Sequence, residues 1–257
     1  MFDLASLTAI VSEPRFAVAA AVALLSGLVR GFSGFGSALV YVPLISAIYE
    51  PKVAVPTILL IDTLCSLPWA IKAAPACNRR EVLGVAIFGT MTIPLGVAAL
   101  IYVDPLPLRW LIAVLVLIAL ITLIAGWRYH GKPNWLAMAA TGAASGFGGG
   151  AVQIAAPPLL IFWLGGQNSA ATVRANIMVY FVWTGFLGIV LYAWTGLFNA
   201  HTIMLAVLFG IPFASALGFG ARWFHRASDD HYRRVAYLII AASGLVSLPV
   251  FDGLLRP

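Results

Sequence analysis

The chain has 257 residues, of which 62% are hydrophobic and only 9% are charged. A soluble domain carries about a quarter charged residues, so this composition excludes an ordinary soluble protein and indicates a polytopic membrane protein. The net charge of +6 is attributed to membrane topology rather than to nucleic-acid binding, and no nucleic-acid partner is expected.

Ten apolar segments follow one another along the chain. In order they are Arg15–Val29, Ala38–Tyr49, Val53–Ala74, Val82–Val103, Leu106–Trp127, Trp135–Ser145, Val152–Leu164, Ala170–Trp194, Thr202–Trp223 and Val235–Phe251. An apolar helix of about 20 residues spans a bilayer. We therefore predict an all-α polytopic membrane protein with about eight membrane helices, or up to ten segments when broken and re-entrant half-helices are counted.

Two pairs of short segments each contain a glycine cluster, at 31–36 in the first pair and at 146–150 in the second, which separates the two segments of the pair. Glycine in a helix costs about 1 kcal/mol relative to alanine, so each cluster needs a reason. The glycines either let helices pack closely or break the helix where it lines a wet cavity. Their position near Pro43 and Pro158 favours two helix breaks with a site between them.

The two halves share their order of segments and a set of identical residues. A shift of 115 residues aligns Gly27 with Gly142, Gly31 with Gly146, Phe32 with Phe147, Gly34 with Gly149, Pro43 with Pro158, Leu44 with Leu159 and Thr57 with Thr172. These matches predict one transmembrane transport domain, residues 1–257, built from repeats at 14–130 and 133–253.

Basic residues concentrate in three loops, at Lys72–Arg80, Arg128–Lys132 and Arg222–Arg234. Such loops face the cytoplasm. The two short pairs must then be hairpins that enter from opposite sides, so the repeats have inverted topology and both termini are external. Secondary transporters of this plan bind substrate near the midplane, at interrupted helices.

Three charged residues are candidates for function: Arg30, immediately before the first glycine cluster, and Asp62 and Arg174, inside predicted spans. A charge at the bilayer centre costs about 2.5–3.5 kcal/mol and is a candidate for function. The arginines are candidates for binding an anion, and Asp62 for carrying a coupling proton. The structural alternatives are pairing of Asp62 with an arginine, and snorkelling of Arg174 to the headgroups.

Gln153 and Asn176 are candidates either for substrate binding or for hydrogen bonds between helices, whereas Tyr180 and Thr184 are interpreted as helix contacts. The sequence holds no nucleophile elbow, phosphate loop or zinc-type histidine pair. We therefore expect a protein that is not an enzyme, with no metal and no cofactor.

The two glycine clusters resemble the signatures of a known family. Gly27-x-x-x-Gly31-Phe32-x-Gly34-Phe35-Gly36 followed by Pro43 is similar to the first signature of the TauE/SafE sulfite and organosulfonate exporters, and Gly142-x-x-x-Gly146-Phe147-Gly148-Gly149-Gly150 followed by Pro157-Pro158 to the second. The resemblance implies a multi-pass transporter of small sulfur-containing or carbon anions in the bacterial inner membrane. The substrate contacts that it suggests are Arg30, Gly31, Phe32, Ser33, Gly34, Gly36, Gly146, Gly148, Gly149, Gln153, Arg174 and Asn176.

The function expected from these features is export of sulfite or an organosulfonate, such as sulfoacetate or a taurine-derived sulfonate, by alternating access. One alternative is a proton-coupled importer of a sulfur-containing or carboxylate anion with Asp62 as the proton carrier, or a thiosulfate-type importer that uses Cys65. Another is a membrane scaffold without a substrate. The expected partners are the anion, the lipid bilayer and a second copy in a homodimer.

Overall fold

Ten α-helices and a short 3₁₀ helix (Ala74–Ala76) make up most of the described part of the chain, and no strand occurs there. The structure is a computed structural model that describes residues 8, 10–129, 131, 133–166, 168–223, 229–246, 248 and 250. The helices are α1 (Pro14–Ser33), α2 (Ser37–Ile48), α3 (Pro51–Ala73), α4 (Arg79–Tyr102), α5 (Pro105–Ala125), α6 (Trp135–Val152), α7 (Ala156–Gly165), α8 (Ala170–Trp194), α9 (Ala200–Trp223) and α10 (Asp229–Val246). The predicted helical class is confirmed. Both chain ends, with their predicted external placement, lie outside the described residues.

Local sequence signals account for where the helices begin. Proline occupies the first turn of α1, α3 and α5, where its missing N–H costs nothing. Side chains cap three others: Asn134 Oδ1 accepts from the Ala137 amide at 2.8 Å, and Ser169 Oγ accepts from the Thr172 amide at 3.1 Å. Asn78 Oδ1 caps α4.

Six described helices are long and apolar enough to cross a membrane: Pro14–Gly31, Pro51–Ala76, Arg79–Tyr102, Pro105–Ala125, Ala170–Trp194 and Ala200–Arg222. The apolar helices α2 and α7 have only 12 and 10 residues, so they are about 18 and 15 Å long and do not cross a core of about 30 Å. Large apolar side chains such as Met91 and Ile211 point outward, as lipid requires. The chain is a multi-pass membrane protein, and the total of eight spans stays a prediction.

Each short helix returns beside the helix before it, so each pair forms a hairpin. The Arg15 guanidinium, at the start of α1, lies 4.7 Å from the ring centroid of Tyr49, just after α2. The Tyr129 amide, in the segment that leads into α6, donates to the Ile161 carbonyl of α7 at 2.9 Å. Each hairpin therefore begins and ends on one side of the molecule.

Glycines spaced four residues apart form one face of α6, and this face packs on α4. A Cβ on any of these glycines would overlap a carbonyl oxygen of α4. The overlapping pairs are Gly142 with Val85, Gly146 with Gly89, and Gly150 with Ile93. Small residues let membrane helices approach this closely, so these glycines serve helix packing.

The same arrangement joins α1 to α9. A Cβ on Gly27 would overlap the Phe213 carbonyl oxygen, and one on Gly31 would overlap that of Leu217. Both contacts progress in the same direction along the two helices, so α1 and α9 run parallel, as α6 and α4 do.

The second helix break lies further along the chain than predicted. Residues 146–150 are helical, α6 continues to Val152, and the break comprises residues 153–155. The first break is shorter than predicted: it comprises residues 34–36, because residues 31–33 belong to α1. The prediction of a break at 146–150 is wrong, because glycines that let two helices touch look the same in sequence as glycines that end a helix.

Candidate functional site

A cavity of about 50 Å³ lies where the two helix breaks meet. The start of α2 and the end of α6 line it, together with Gln153, Ile154 and Ala155 of the second break. Asp62 and Thr184 close it from α3 and α8. Asp62 is the twelfth of the 23 residues of α3, so the cavity lies about half-way along the long helices. We call it the central cavity.

The first break turns the chain with two glycines in the left-handed region. Gly34 has φ +76° and Gly36 has φ +92°, values that other residues rarely adopt. The Gly34 amide closes α1 on the Arg30 carbonyl at 2.9 Å. Gly36 is the N-cap of α2 and has no side chain to cap it, so the first amides of α2 keep hydrogen-bonding capacity toward the central cavity.

The second break turns at Gln153, whose φ is +57°. Its backbone amide and its side-chain Nε2 both donate to the Gly149 carbonyl, at 3.1 and 2.8 Å. The Ile154 amide donates to the Gly148 carbonyl at 3.1 Å. A non-glycine residue held in the left-handed region costs of order 1–3 kcal/mol, and such strain clusters at functional sites.

Tyr192 of α8 holds the end of α6 in place. Its side chain is fully buried, and its hydroxyl donates to the Gly150 carbonyl at 2.6 Å. Gly150 lies in the last turn of α6, where carbonyls lack a partner within the helix. The hydrogen bond therefore ties the second break to the middle of the bundle.

The starts of both short helices point at the central cavity. Gly36 precedes α2 and Ala155 precedes α7, and both residues line it. A helix N-terminus carries about half a positive charge and binds anions through its free amides. Among the first three residues of α7 only Ala156 has such an amide, because Pro157 and Pro158 have no N–H. Among the described lining residues there is no lysine or arginine, and Asp62 is the one charged side chain, so the positive ends that face this cavity are those of the two helices.

Arg30 is almost completely buried, and Asp62 neutralises it. Arg30 Nε lies 2.8 Å from Asp62 Oδ1, and Nη1 donates to the Gly34 carbonyl at 2.6 Å. The Ser66 hydroxyl accepts from Nη2 at 3.1 Å and donates to Asp62 Oδ1 at 3.3 Å. The structural alternative considered for Asp62, pairing with an arginine, is the arrangement found here.

Arg174 does not line the central cavity. It lies against the first break, where a Cβ on Gly34 would be 3.0 Å from its Nε. Together with Arg30, Ser66 and Trp69 it lines a second cavity of about 10 Å³. The structure therefore brings Arg30 and Arg174 together, beside the central cavity rather than in it.

Asn176 belongs to a polar cluster that fastens loops at one end of the bundle. It is fully buried, and its Oδ1 accepts from the Asn78 amide at 2.8 Å. Asn78 also bonds Glu81, whose carboxylate accepts from Asn168 Nδ2 at 2.9 Å. Asn176 is not among the residues that line the central cavity.

The glycines suggested as contacts divide between packing and the cavity. Gly31 and Gly146 lie in helix–helix contacts, and Gly148 packs on the Ile154 carbonyl. Gly36 and Gly149 line the central cavity. Phe32 and Ser33 occupy the last turn of α1, and their side chains lie outside the described part.

Several residues that shape the cavity were not among the suggested contacts. Thr63 and Phe181 line it, and so does Thr184, which the sequence analysis interprets as a helix contact. The sequence could have identified Ser66, because it lies one helical turn after Asp62. It could not have identified Tyr192, since the role of Tyr192 depends on α8 packing beside the end of α6.

Comparison with known proteins gives a family. The family described as "Sulfite exporter TauE/SafE" matches residues 19–247, the bulk of the chain, and confirms the resemblance of the glycine signatures. Searches among curated proteins and among solved structures give no match.

Proposed function

The chain belongs to the sulfite exporter TauE/SafE family, and we propose that it exports sulfite or an organosulfonate by alternating access around the central cavity. Members of this family are membrane transporters rather than enzymes. The multi-pass helical fold agrees with that role. The proposal concerns the anion, the direction of transport and the site.

One observation carries the proposal: two uncapped helix starts from different hairpins line the same mid-bundle cavity. The first amides of α2, the Ala156 amide of α7 and the positive ends of both helix dipoles attract an anion, and the surrounding apolar helices strengthen that attraction by lowering the local dielectric. Thr63 and Thr184 add hydroxyl groups to the wall.

The size of the central cavity favours a small anion. One water molecule needs about 10–15 Å³ of such space, so about 50 Å³ accommodates three to five water-sized groups. Sulfite, with four heavy atoms, matches this size. A larger organosulfonate needs the cavity to widen on one side, as an alternating-access cycle does.

The helix contacts support an inverted repeat of α1–α5 and α6–α10. The contact of α4 with α6 has a counterpart in that of α9 with α1. In the same way, the contact of α4 with α8 corresponds to that of α9 with α3, and the contact of α5 with α7 to that of α10 with α2. The contacts of α3 with α8 and of α5 with α10 each correspond to themselves. This exchange of contacts is what two halves related by a twofold axis produce, and such halves rock against each other in transporters.

We propose that equivalent positions of the two repeats are separated by one helical turn more than the predicted shift of 115 residues. The left-handed residues that follow α1 and α6, Gly34 and Gln153, are 119 residues apart. A shift of four residues keeps the same helix face. The glycines of α1 therefore match those of α6 in either register, and only the helix ends distinguish the two.

Energetics favour export. An inside-negative potential drives a monoanion outward by about 2.3 kcal/mol per 100 mV. No coupling ion is required for that direction, so a uniport mechanism suffices. Uptake against the same potential requires a coupled cation.

Proton-coupled import is the second candidate, because the Asp62 carboxylate lines the central cavity. Import through Asp62 predicts that Asp62→Asn abolishes any pH dependence of transport. A pH dependence that persists in this variant would exclude Asp62 as the proton carrier.

The proposed function is tested by counterflow of labelled sulfite in proteoliposomes, with sulfoacetate, taurine, sulfate and lactate as competitors. We expect sulfite and an organosulfonate to exchange, and an inside-negative potential to accelerate efflux. Flux equal to that of protein-free liposomes, together with no anion that stabilises the purified protein against heat, would instead favour a scaffold role.

A further inference from the structure

Two polar side chains that line the central cavity, Asp62 and Thr184, act as hydrogen-bond acceptors toward it. Asp62 is paired with Arg30 and is therefore a carboxylate, which only accepts hydrogen bonds. The Thr184 hydroxyl donates its proton to the Tyr180 carbonyl at 2.9 Å, so its oxygen offers lone pairs to the cavity. A molecule in the cavity therefore meets both side chains favourably only if it carries a hydrogen-bond donor.

The Asp62 carboxylate is held through one of its two oxygens. Arg30 Nε lies 2.8 Å from Oδ1, and the Ser66 hydroxyl donates to the same Oδ1 at 3.3 Å. Neither contact involves Oδ2. The Asp62 side chain keeps 20% of its surface exposed, and Asp62 lines the central cavity. Oδ2 is therefore left to accept a hydrogen bond from a molecule in that cavity.

The two helix starts offer the opposite kind of group. The first amides of α2 and the Ala156 amide of α7 donate hydrogen bonds and favour negative charge. A molecule that satisfies the whole wall needs charged oxygens for these amides and a proton for the acceptors. Sulfate and dianionic sulfite have no proton to give, and an oxygen of either beside the Asp62 carboxylate is repelled as a like charge. Hydrogensulfite, with one negative charge and an S–OH group, satisfies both.

We propose that Asp62 makes the central cavity selective for singly charged oxyanions that carry a proton, and that hydrogensulfite is the transported form of sulfite. This inference rests on the proposed function, because it names the species that the same cavity binds. The S–OH group donates to Asp62 Oδ2, and the charged oxygens face the two helix starts. Sulfate, which carries no proton near neutral pH, is excluded by the same carboxylate.

Few charged or titratable groups surround Asp62. Arg30 faces it from α1, and Arg174 of α8 lies beyond Arg30 in the second cavity. Both guanidinium groups stay protonated near neutral pH. Cys65 lies three residues further along α3, and among the described residues that line the central cavity Asp62 is the one titratable side chain. A pH dependence of binding near neutral pH is therefore expected to come from the anion.

The first test uses the wild-type, full-length protein in detergent. Thermal stabilisation over a series of pH values gives its affinity for sulfite, selenite and sulfate. We expect the affinity for sulfite to fall as rising pH removes hydrogensulfite. Hydrogenselenite is the weaker acid, so the affinity for selenite should fall at a higher pH. Sulfate should bind at least about tenfold more weakly than sulfite at the lowest pH, since it lacks a hydrogen bond to a charged group.

Three outcomes of this test would overturn the proposal. A protein group that titrates would make the affinities for sulfite and selenite fall at the same pH. An affinity for sulfite that does not depend on pH would show that both forms of the anion are bound. Sulfate binding as tight as sulfite binding would show that no proton is required.

Variants of the ion pair assign the selectivity to Asp62. Asp62→Asn replaces the carboxylate by an amide that also donates hydrogen bonds, so we expect sulfate and sulfite to bind with similar affinity. Asp62→Asn combined with Arg30→Gln restores the wild-type net charge and should still bind sulfate. The double variant leaves no buried charge without a partner from this pair, so it provides the test where the single variant does not fold. Asp104→Asn, which removes an exposed acid before α5, should keep the wild-type selectivity.

Sulfate binding in the single variant but not in the double variant would show that unpaired Arg30 attracts the dianion, and would overturn the role of Asp62 as an acceptor. That result, or any of the three above, leaves the proposed function standing as long as wild-type proteoliposomes exchange labelled sulfite. Absence of that exchange would overturn the proposed function, and the selectivity with it.

Discussion

Gly36 combines a strained backbone position with a place in the wall of the central cavity. Its φ of +92° makes a side chain unfavourable by roughly 1–2 kcal/mol. We predict that Gly36→Ala lowers the stability of the protein by about this amount and also weakens sulfite binding, because the first amides of α2 shift. Thermal unfolding with and without sulfite measures both effects.

Gly126 provides the matched control for this prediction. It has φ +62° and an added Cβ there would meet nothing within 4 Å, but it ends α5 away from the central cavity. Gly126→Ala should lower stability to a similar extent and leave the sulfite-induced shift intact. Equal loss of the sulfite shift in both variants would contradict a site at the first break.

Tyr192 is predicted to act through the second break. Tyr192→Phe removes the hydroxyl that bonds the Gly150 carbonyl, and a buried acceptor left without a partner costs about 1–3 kcal/mol. We expect that loss together with weaker sulfite binding. Tyr41→Phe is the control: Tyr41 is also fully buried, and its hydroxyl bonds Thr57 at 3.1 Å. If both variants weaken sulfite binding alike, Tyr192 has only a structural role.

At the scale of single residues, sequence reasoning reached the charged groups but not their arrangement. The cost of a charge in the membrane singles out Arg30, Asp62 and Arg174, and pairing of an arginine with Asp62 is one of the predicted alternatives. Which arginine pairs, and which cavity each group lines, depends on how α1, α3 and α8 pack. That packing cannot be read from any local pattern.

At the scale of helices, the parallel contact of α4 with α6 depends on glycine. A methyl group on Gly142 would overlap the Val85 carbonyl oxygen. We predict that Gly142→Ala destabilises the protein by about 1–3 kcal/mol. Gly210→Ala should instead stabilise it by up to about 1 kcal/mol, because Gly210 is helical, with nothing within 4 Å of an added Cβ. Equal midpoints in thermal unfolding would contradict this account of the contact.

The helix boundaries show which sequence signals are reliable. The apolar segments placed most helix starts within a few residues, and proline or an Asn or Ser cap accounts for where several of them begin. The glycines of α6 do not mark a helix break, because Gly142, Gly146 and Gly150 form a helix–helix contact and not a turn. The true turn residue, Gln153, has no intrinsic preference for a positive φ, and hydrogen bonds to the end of α6 hold it there.

At the scale of the whole molecule, the account predicts opposite membrane sides for the loop after α3 and the loop after α8, which are equivalent loops of the two repeats. Ala76 lies beside the basic loop after α3, and Ala200 starts α9 after α8 has ended; both are exposed. In a variant without Cys65 and Cys77, we expect Ala76→Cys to react with an impermeant thiol reagent only from the cytoplasm, and Ala200→Cys only from outside. Labelling of both from the same side would contradict the inverted topology.

The central claim is that the two helix starts of the hairpins bind a small oxyanion between them. Selenite has the shape and charge of sulfite, and its selenium scatters anomalously. Crystals of the protein grown with selenite should show an anomalous difference peak in the central cavity, between the start of α2 and the start of α7. A fully occupied selenite site elsewhere, with no peak between these helix starts, would contradict the claim.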